Sequence, residues 1–259
     1  MTTSCDNTLV LGYDLDVWNG YGEKRPVAVD ISPSTNSHML ICGMSGSGKS
    51  YETNALIAKL AMAESQGEFY FADYKGEDSF SYLRDCPRYW SYKNTLDALD
   101  AVYSRLNARL AGEDESRNPI TLIWDEYMAN ILSLVNEDKK GAAVVMNKVS
   151  EILLMGRSMS IRLITSMQRP DALAFPAGAR LNYGVVIVLG AAIKSIYEML
   201  LPDFLDEVKG RQFGRGEGVA LLQGSDLRFI KVPMVRDTEK MRQLCINALT
   251  PNANPTSGT

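Results

Sequence analysis

The feature that most restricts the fold is an eight-residue segment, 43–50, which reads Gly-Met-Ser-Gly-Ser-Gly-Lys-Ser and fits the pattern G-x-x-x-x-G-K-[ST]. It lies between an apolar strand, 39–42, and a helical period that starts at Tyr51, the context that this pattern requires. The glycines permit a tight turn whose backbone N–H groups converge on phosphate oxygens. We therefore expect Lys49 to reach the β- and γ-phosphates of a nucleotide and the Ser50 hydroxyl to bind Mg²⁺. The residues expected to bind the nucleotide are Gly43, Met44, Ser45, Gly46, Ser47, Gly48, Lys49, Ser50 and Tyr51.

A second candidate for chemistry is the acidic end of a buried strand. Residues 120–124 are apolar apart from Thr121, and they lead directly into Asp125 and Glu126. Ligands of open α/β sheets bind at the carboxyl ends of the strands. We expect Asp125 to complete the Mg²⁺ shell and Glu126 to orient or deprotonate the attacking water. The alternative is that the two acids only cap the helix that follows from Tyr127.

The apolar pattern beyond residue 38 alternates between short strands and longer helices. This alternation predicts an α/β fold in which a mostly parallel sheet is flanked by helices. The predicted strands are 39–42, 68–72, 120–124, 161–166, 185–189 and 219–222, with a further edge strand at 227–232. The predicted helices are 51–64, 95–110 and 141–155.

The chain ends differ in composition from the alternating region. Residues 8–13 and 26–30 are β-like and flank the turn-like 19–22, so residues 1–37 are predicted to form an N-terminal β-hairpin extension. Residues 38–250 would form the main domain. Residues 251–259, rich in Pro, Asn, Ser, Thr and Gly, are predicted to be a flexible tail.

Composition excludes several classes of protein. The 27 Lys and Arg against 31 Asp and Glu give a net charge of −4, which argues against a wholly basic surface but permits a basic strip along one channel. The single histidine, His38, excludes a multi-histidine metal centre, and the four cysteines are too far apart in sequence for a zinc motif. The longest apolar run, 185–193, is too short to span a bilayer, and no signal peptide is visible. A cytoplasmic protein with reduced thiols is expected.

Several motifs, taken in order, resemble those of the FtsK/SpoIIIE translocases. Residues 37–50 resemble the family's strand and phosphate loop, and 70–76 its strand ending in Asp-x-Lys. Residues 122–126 match its acidic strand, 156–170 its Gly-Arg to Gln-Arg-Pro signature, and 214–218 its late glycine turn. The Gln-Arg-Pro triplet, 168–170, is the discriminating element. The chain departs from the family at Ser160, where glycine is usual, and at Ser166, where alanine is usual; neither departure is expected to touch a charged catalytic position.

The resemblance implies a RecA-like P-loop NTPase, usually a hexameric ring, that uses ATP and Mg²⁺ to move double-stranded DNA through a central channel. The family's membrane-anchored region and winged-helix domain do not fit in 259 residues, so a bare motor of a mobile element, plasmid or phage is expected. A relaxase or a membrane channel is the partner that such a motor would serve. Some relatives export proteins, which keeps a protein cargo as an alternative.

Other side chains have weaker assignments. Gln168 is expected to sense the γ-phosphate, with a simple loop amide as the alternative. Arg157 is the first candidate for an arginine finger that reaches the neighbouring subunit, followed by Arg169 and Arg180. Asp73 and Lys75 either face the nucleotide site or the ring interface, or form an internal salt bridge. The residues expected to contact DNA phosphates from two loops are Lys139, Lys140, Lys209, Arg211 and Arg215. These basic residues are equally compatible with solvated turns.

Two further functions remain open at this point. A nucleotide switch or assembly factor would hydrolyse ATP slowly and move nothing. A P-loop kinase would release a phosphorylated product, but the adjacent Asp125 and Glu126 favour an ATPase that activates its own water.

Overall fold

The computed structural model describes residues 7–32, 35 and 38–251. The strands are β1 (Thr8–Asp14), β2 (Pro26–Asp30), β3 (His38–Gly43), β4 (Glu68–Asp73), β5 (Tyr89–Ser91), β6 (Ile120–Asp125), β7 (Ile161–Met167), β8 (Tyr183–Leu189), β9 (Glu217–Leu222) and β10 (Asp226–Lys231). The helices are α1 (Leu15–Tyr21), α2 (Lys49–Ala63), α3 (Thr95–Leu110), α4 (Tyr127–Glu137), α5 (Lys139–Met155), α6 (Lys194–Leu200), α7 (Leu205–Val208) and α8 (Thr238–Leu249). Short 3₁₀ segments include Asp78–Leu83 and Gly156–Met159.

All ten strands form one sheet in the order β2-β1-β10-β9-β8-β3-β7-β6-β4-β5. The six strands from β8 to β5 pair in parallel, and β9, β10, β1 and β2 extend the sheet by antiparallel pairs. The predicted α/β class with a mostly parallel sheet is therefore confirmed. In this order β3, which leads into the phosphate loop, is separated from the acidic strand β6 by β7 alone.

Helices cover both faces of the sheet, which explains why its central strands read as continuous apolar runs. Side chains alternate between the faces: in β6, Leu122 and Trp124 join one core and Ile123 joins the other. The first core receives Leu99, Val102 and Leu106 of α3 together with residues of α5. The second receives residues of α2 and α8. The carboxyl edge of the parallel strands is thereby held rigidly between two layers of helices.

The N-terminal segment differs from the prediction in its connection. β1 and β2 pair in antiparallel fashion as predicted, but helix α1 replaces the expected turn at 19–22. The Asp14 carboxylate accepts a hydrogen bond from the Val17 N–H at the start of α1, and Gly22 ends the helix with φ +70°. The sequence predicted β10 to be an edge strand. In the structure it lies inside the sheet, because β1 pairs with its outer side.

Other expectations concern the ends of the chain and its thiols. The N-terminal strands continue the main sheet through the β1–β10 pair, so the division at residue 37 stays a prediction. The predicted tail lies outside the described residues beyond position 251. Cys42, Cys86 and Cys245 are free and buried; Cys5 lies outside the described residues, and the reduced state of the thiols stays a prediction.

Glu52 of α2 is a buried carboxyl group that makes the stability depend on pH. Neither of its oxygens has a hydrogen-bond partner among the described residues, and Lys59 lies 3.9 Å away. Burial raises the pKa of Glu52 to about 7, against the weaker opposing effect of Lys59. The unfolded chain therefore loses this proton first, so the free energy of unfolding is expected to fall as the pH rises from about 4.5 to about 7.

The variant Glu52→Gln is expected to remove that pH dependence. In the wild type, the ionisation of Glu52 should lower the free energy of unfolding by an amount on the order of 3 kcal/mol. Urea denaturation at pH 5 and pH 8 measures it for the wild type and the variant. The exposed Glu113→Gln is the matched control and should retain the wild-type difference between the two pH values. An equal pH dependence in Glu52→Gln and the wild type would show that Glu52 ionises freely in the folded protein.

Candidate nucleotide-binding site

The phosphate loop connects the end of β3 to the start of α2, as the sequence predicted. Gly46 and Gly48 have φ values of +84° and +101°, which side-chain-bearing residues rarely adopt. A Cβ atom on Gly43 would lie 2.4 Å from Ser47 Oγ. The glycines of the motif are therefore required by the turn itself, and the first turn of α2 presents its N–H groups to the same space.

A second glycine turn supports the loop from outside the motif. The Gly216 N–H donates to the Ser47 carbonyl at 2.8 Å, and the Gly216 carbonyl accepts from the Val232 N–H at 2.7 Å. Gly190 packs so closely that a Cβ atom there would lie 2.8 Å from Ser47 Cβ. These contacts come from the segments next to β8 and β9, and they fix the loop in place from the opposite side.

Lys49 lies between the two acids of β6. Its Nζ is 3.1 Å from Asp125 Oδ1 and 3.0 Å from Glu126 Oε1, and all three side chains are buried. Burial alone would lower the pKa of Lys49, but the two carboxylates outweigh it and raise the pKa. Burial likewise raises the pKa of Asp125 to about 6, although Lys49 opposes this shift. The structure thus joins the phosphate loop directly to the acidic strand.

The two acids do not act as a helix cap. Glu126 stands at the N-cap position of α4, but its side chain makes no capping hydrogen bond. Its backbone has φ +53° and ψ +39°, a left-handed conformation that is unfavourable for a residue with a side chain. Strain of this kind concentrates at functional sites. The geometry therefore favours the chemical role of the pair over the capping alternative.

Ser166 contacts the acidic pair, contrary to the expectation from sequence. Its hydroxyl is hydrogen-bonded to Asp125 Oδ1, and this contact lowers the pKa of Asp125 against the larger effect of burial. The other departure from the family pattern, Ser160, has φ +56°. A glycine would adopt that conformation without strain, which explains why the family usually has one.

A third carboxylate, Glu77, completes the site, and it belongs to none of the motifs found in the sequence. Its Oε2 accepts a hydrogen bond from Ser50 Oγ at 2.9 Å. Glu77, Asp125 and Glu126 each offer an oxygen, and these oxygens lie within 4.8 Å of one another. Asp125 Oδ2 is buried and has no hydrogen-bond partner among the described residues. Oxygen ligands with one unsatisfied carboxylate oxygen fit a Mg²⁺ ion at this position.

The loop that carries Glu77 is held by Asp73 at the end of β4. Its carboxylate accepts from the Gly76 N–H at 2.8 Å and from the Tyr89 hydroxyl at 2.6 Å. Burial raises the pKa of Asp73 despite these hydrogen bonds. Lys75, in the same loop, forms an ion pair with Glu126 Oε2 at 3.3 Å. Lys75 therefore faces the nucleotide site, whereas Asp73 shapes the loop. Within the part of the chain that the structure describes, the two side chains form no ion pair with each other.

Lys49, Ser50 and Glu77 line a cleft of about 410 Å³ at the carboxyl edge of the sheet. Asp125 and Glu126, which contact Lys49, are buried beside it. The lining of the cleft also includes residues from distant parts of the chain, among them Gln168, Arg215 and Arg242. Gln168 thus reaches the cleft, as the γ-phosphate assignment requires. Arg215 was a candidate for DNA contact, and it lines the nucleotide cleft.

The remaining predicted residues lie outside the cleft. Arg157 is exposed in the 3₁₀ segment that precedes β7, at the amino edge of the sheet. Lys139 and Lys140, at the start of α5, and Lys209 are also exposed.

Arg211 and Arg180 are each engaged in contacts. Arg211 pairs with Asp16 at 2.6 Å and stacks 3.8 Å from the centre of the Phe229 ring. Arg180 donates a hydrogen bond to the Met199 carbonyl at 2.7 Å.

A phosphate loop facing an acidic strand on a mostly parallel, helix-flanked sheet defines a P-loop NTPase. Residues 15–208 match the model of the FtsK/SpoIIIE family, so the chain belongs to this family and is an ATPase of the FtsK/SpoIIIE type. A search of curated proteins gave no match. Within the described residues, no helix has the length and apolar character needed to cross a membrane.

Solved structures with the same fold include secretion and conjugation proteins. The pCW3 conjugation coupling protein TcpA, in its monomer form with ATPγS, is 18% identical with a TM-score of 0.70 over 95% of this chain and 71% of TcpA. The cytoplasmic domain of the type VII secretion ATPase EccC from Thermomonospora curvata is 19% identical with a TM-score of 0.67, and the match covers 97% of this chain and 32% of EccC. EssC (ATPases 2 and 3) from Geobacillus thermodenitrificans is 15% identical with a TM-score of 0.67 over 96% and 49% of the two chains. The chain thus spans about a third of the EccC structure that it matches.

Proposed function

We propose that this chain is the motor of a homo-oligomeric ring, hexameric as the family resemblance implies, that uses ATP hydrolysis to translocate double-stranded DNA. The observation that carries the proposal is the convergence of five side chains, Lys49, Ser50, Glu77, Asp125 and Glu126, in one site. Lys49, Ser50 and Glu77 line the cleft, and the two acids of β6 are buried against Lys49. These are the groups that phosphoryl transfer to water needs: a cation for the phosphates, oxygen ligands for a metal, and a buried carboxylate for the nucleophile.

Each side chain has a role within a single subunit. Loop residues 43–48, with Lys49, bind the triphosphate; Ser50, Asp125 and Glu77 would hold Mg²⁺. When bound, Mg²⁺ neutralises charge on the β- and γ-phosphate oxygens. Glu126 orients the water and accepts its proton. Gln168, at the end of β7, senses the γ-phosphate through its amide.

Arg157 is proposed to act on the neighbouring subunit. It precedes β7, whose seven residues place it roughly 20 Å from the carboxyl edge at about 3.3 Å per residue. A guanidinium at the amino edge is too far from the phosphate loop of its own subunit to reach it. Its exposure in the chain is what an arginine finger acting across an interface requires.

For DNA, the strongest candidates are the exposed side chains of Lys139, Lys140 and Lys209. Arg211 is a weaker one because Asp16 neutralises it. Each chain carries a net charge of −4, so DNA binding would depend on a ring of lysines around the channel. The fold shared with TcpA, a conjugation coupling protein, supports a DNA cargo and a relaxase or membrane channel as partner.

The fold shared with EccC and EssC favours a second candidate, an ATPase that exports proteins. EccC is a secretion ATPase, and a structure of its ATPases 2 and 3 contains a signal sequence peptide. The ATP site would work identically in both cases. The two functions differ only in which polymer stimulates hydrolysis.

The experiment is the ATPase rate with and without linear duplex DNA over a salt series, together with the mass in solution with ATP bound. We expect DNA to stimulate hydrolysis, and the stimulation to fall steeply with salt because binding releases counterions from the phosphates. The double variant Lys139→Ala/Lys140→Ala should weaken the salt dependence. Stimulation by an export-signal peptide but not by DNA would support the rival, and a monomer insensitive to DNA would contradict the motor.

A further inference from the structure

The turn that carries Arg215 is locked to the phosphate loop of the same chain. The Gly216 N–H donates to the Ser47 carbonyl at 2.8 Å, and the Glu217 carbonyl accepts from the Gly190 N–H at 2.7 Å. The Glu217 side chain closes the turn by accepting from the Gly214 N–H at 3.0 Å, and it is itself paired with Lys231 at 2.6 Å. The backbone of residue 215 therefore has a fixed position relative to the phosphate site.

The Arg215 side chain extends along the loop into the cleft. A Cβ atom on Gly48 would lie 3.8 Å from Arg215 Cγ, so the aliphatic stem of the arginine runs beside the Gly48 turn. Arg215 lines the same cleft as Lys49 and Ser50. Among the described residues, no carboxylate lies within ion-pair distance of its guanidinium, whereas Arg211, four positions earlier, pairs with Asp16.

The charges of the site call for another cation. Three carboxylates, those of Glu77, Asp125 and Glu126, converge there, and they face the two lysines Lys49 and Lys75. Both lysines already contact these carboxylates, so the cluster carries one net negative charge, which a Mg²⁺ ion held there would offset. A bound triphosphate adds several negative charges of its own, and a further cation on the wall of the cleft would stabilise them. Arg215 is an unpaired guanidinium on the wall of this cleft, and a guanidinium binds phosphate oxygens through paired hydrogen bonds.

We propose that Arg215 contacts the triphosphate bound to its own subunit, so that the site uses a cis arginine in addition to any arginine from a neighbour. This inference rests on nucleotide binding in the cleft proposed above, but it does not depend on the cargo or on ring formation. It also reassigns Arg215 from the predicted DNA-binding loop to the chemistry of the nucleotide.

The first test is the affinity for ATPγS, measured by titration at protein concentrations at which the chain is monomeric. Arg215→Ala is expected to weaken ATPγS binding about 10- to 100-fold, the range of a charge-assisted hydrogen bond. Arg215→Lys should retain part of the affinity because it keeps the charge without the paired geometry. Arg117→Ala, an exposed arginine at the amino edge of the sheet, is the matched control and should bind like the wild type.

Arg215→Ala binding ATPγS within about twofold of the wild type would overturn the inference. If the wild type itself binds no nucleotide, the proposed function fails instead, so the two failures are distinguishable. Arg215 is exposed and its substitution creates no cavity, so the folded content measured by circular dichroism should not change.

The second test separates cis from trans action by mixing variants. Arg215→Ala is mixed with Glu126→Gln, whose subunits supply an intact Arg215 to their neighbours but do not hydrolyse ATP. A cis residue predicts no recovery of ATPase activity, and recovery above the sum of the separate rates would show trans action and overturn the inference. Arg157→Ala mixed with Glu126→Gln is the positive control for rings, since the proposed trans arginine should recover activity. Where that control gives no recovery, the ATPγS titration on the monomer decides.

Discussion

Glu126→Gln is expected to lower ATP turnover by about 10²–10⁴-fold, the range of a lost general base, while ATP binding persists. The variant keeps the shape of the side chain but cannot accept a proton from water. Asp125 still contacts Lys49 at 3.1 Å, so the phosphate-binding lysine keeps one carboxylate partner. Single-turnover hydrolysis and ATPγS titration on the same preparation measure the two quantities separately.

Two outcomes would contradict this role. Unchanged turnover in Glu126→Gln would favour a slow switch, in which hydrolysis does not depend on a positioned base. A phosphorylated acceptor in place of free phosphate would indicate a kinase. Glu115→Gln, an exposed glutamate in the loop before the amino end of β6, is the matched control and should hydrolyse ATP at the wild-type rate.

The parts of the site that the sequence predicted are contiguous in the chain. Residues 43–50 form a turn whose shape depends on its own glycines, and Asp125 with Glu126 directly follow a buried strand. Local patterns of this kind carry their geometry with them. The alternating strands and helices likewise predicted the α/β class from local patterns. A parallel sheet covered by helices on both faces has strands that are continuous apolar runs, and each run can be recognised in the sequence by itself.

The parts that were missed depend on which strands become neighbours. Glu77 follows Gly76 in the loop after β4, and it meets Asp125 and Glu126 only because β4 lies beside β6 in the sheet. Arg215 reaches the cleft because β9 runs antiparallel to β8, which returns its first residues to the phosphate edge. A sequence gives neither strand order nor strand direction at this point.

Small differences in the prediction have local physical causes. Residues 15–21 form α1 because Asp14 caps the helix and Gly22 ends it, a signal that the adjacent Asn19-Gly20 obscured. The sequence predicts no contact between Ser166 and a charged catalytic position, but β7 lies next to β6, so the Ser166 hydroxyl faces Asp125. In both cases the residue types were informative, and only their neighbours in space were unknown.

Lys49→Ala is expected to abolish nucleotide binding and, in this chain, also to destabilise the fold by about 3–5 kcal/mol, the range for removing one partner of a buried ion pair. Without Lys49 Nζ, the carboxylates of Asp125 and Glu126 remain buried with only Lys75 nearby. Burial already raises the pKa of Asp125 to about 6, and loss of the lysine raises it further. In the folded variant the Asp125 carboxyl then keeps its proton to a higher pH than it does in the unfolded chain. The free energy of unfolding of the variant should therefore fall as the pH rises.

Urea denaturation at pH 5 and pH 8 tests this expectation, with the loss larger at pH 8. Adding Asp125→Asn to Lys49→Ala removes one of the unpaired charges, and it should restore part of the stability without restoring ATPγS binding. Lys148→Ala, which breaks a surface ion pair with Asp100, is the matched lysine control and should change stability by about 1 kcal/mol or less. A Lys49→Ala protein as stable as the wild type at both pH values would mean that water or protonation already neutralises the acids. In that case the role of Lys49 would be to bind the nucleotide, and its ion pairs with Asp125 and Glu126 would not contribute to the stability of the fold.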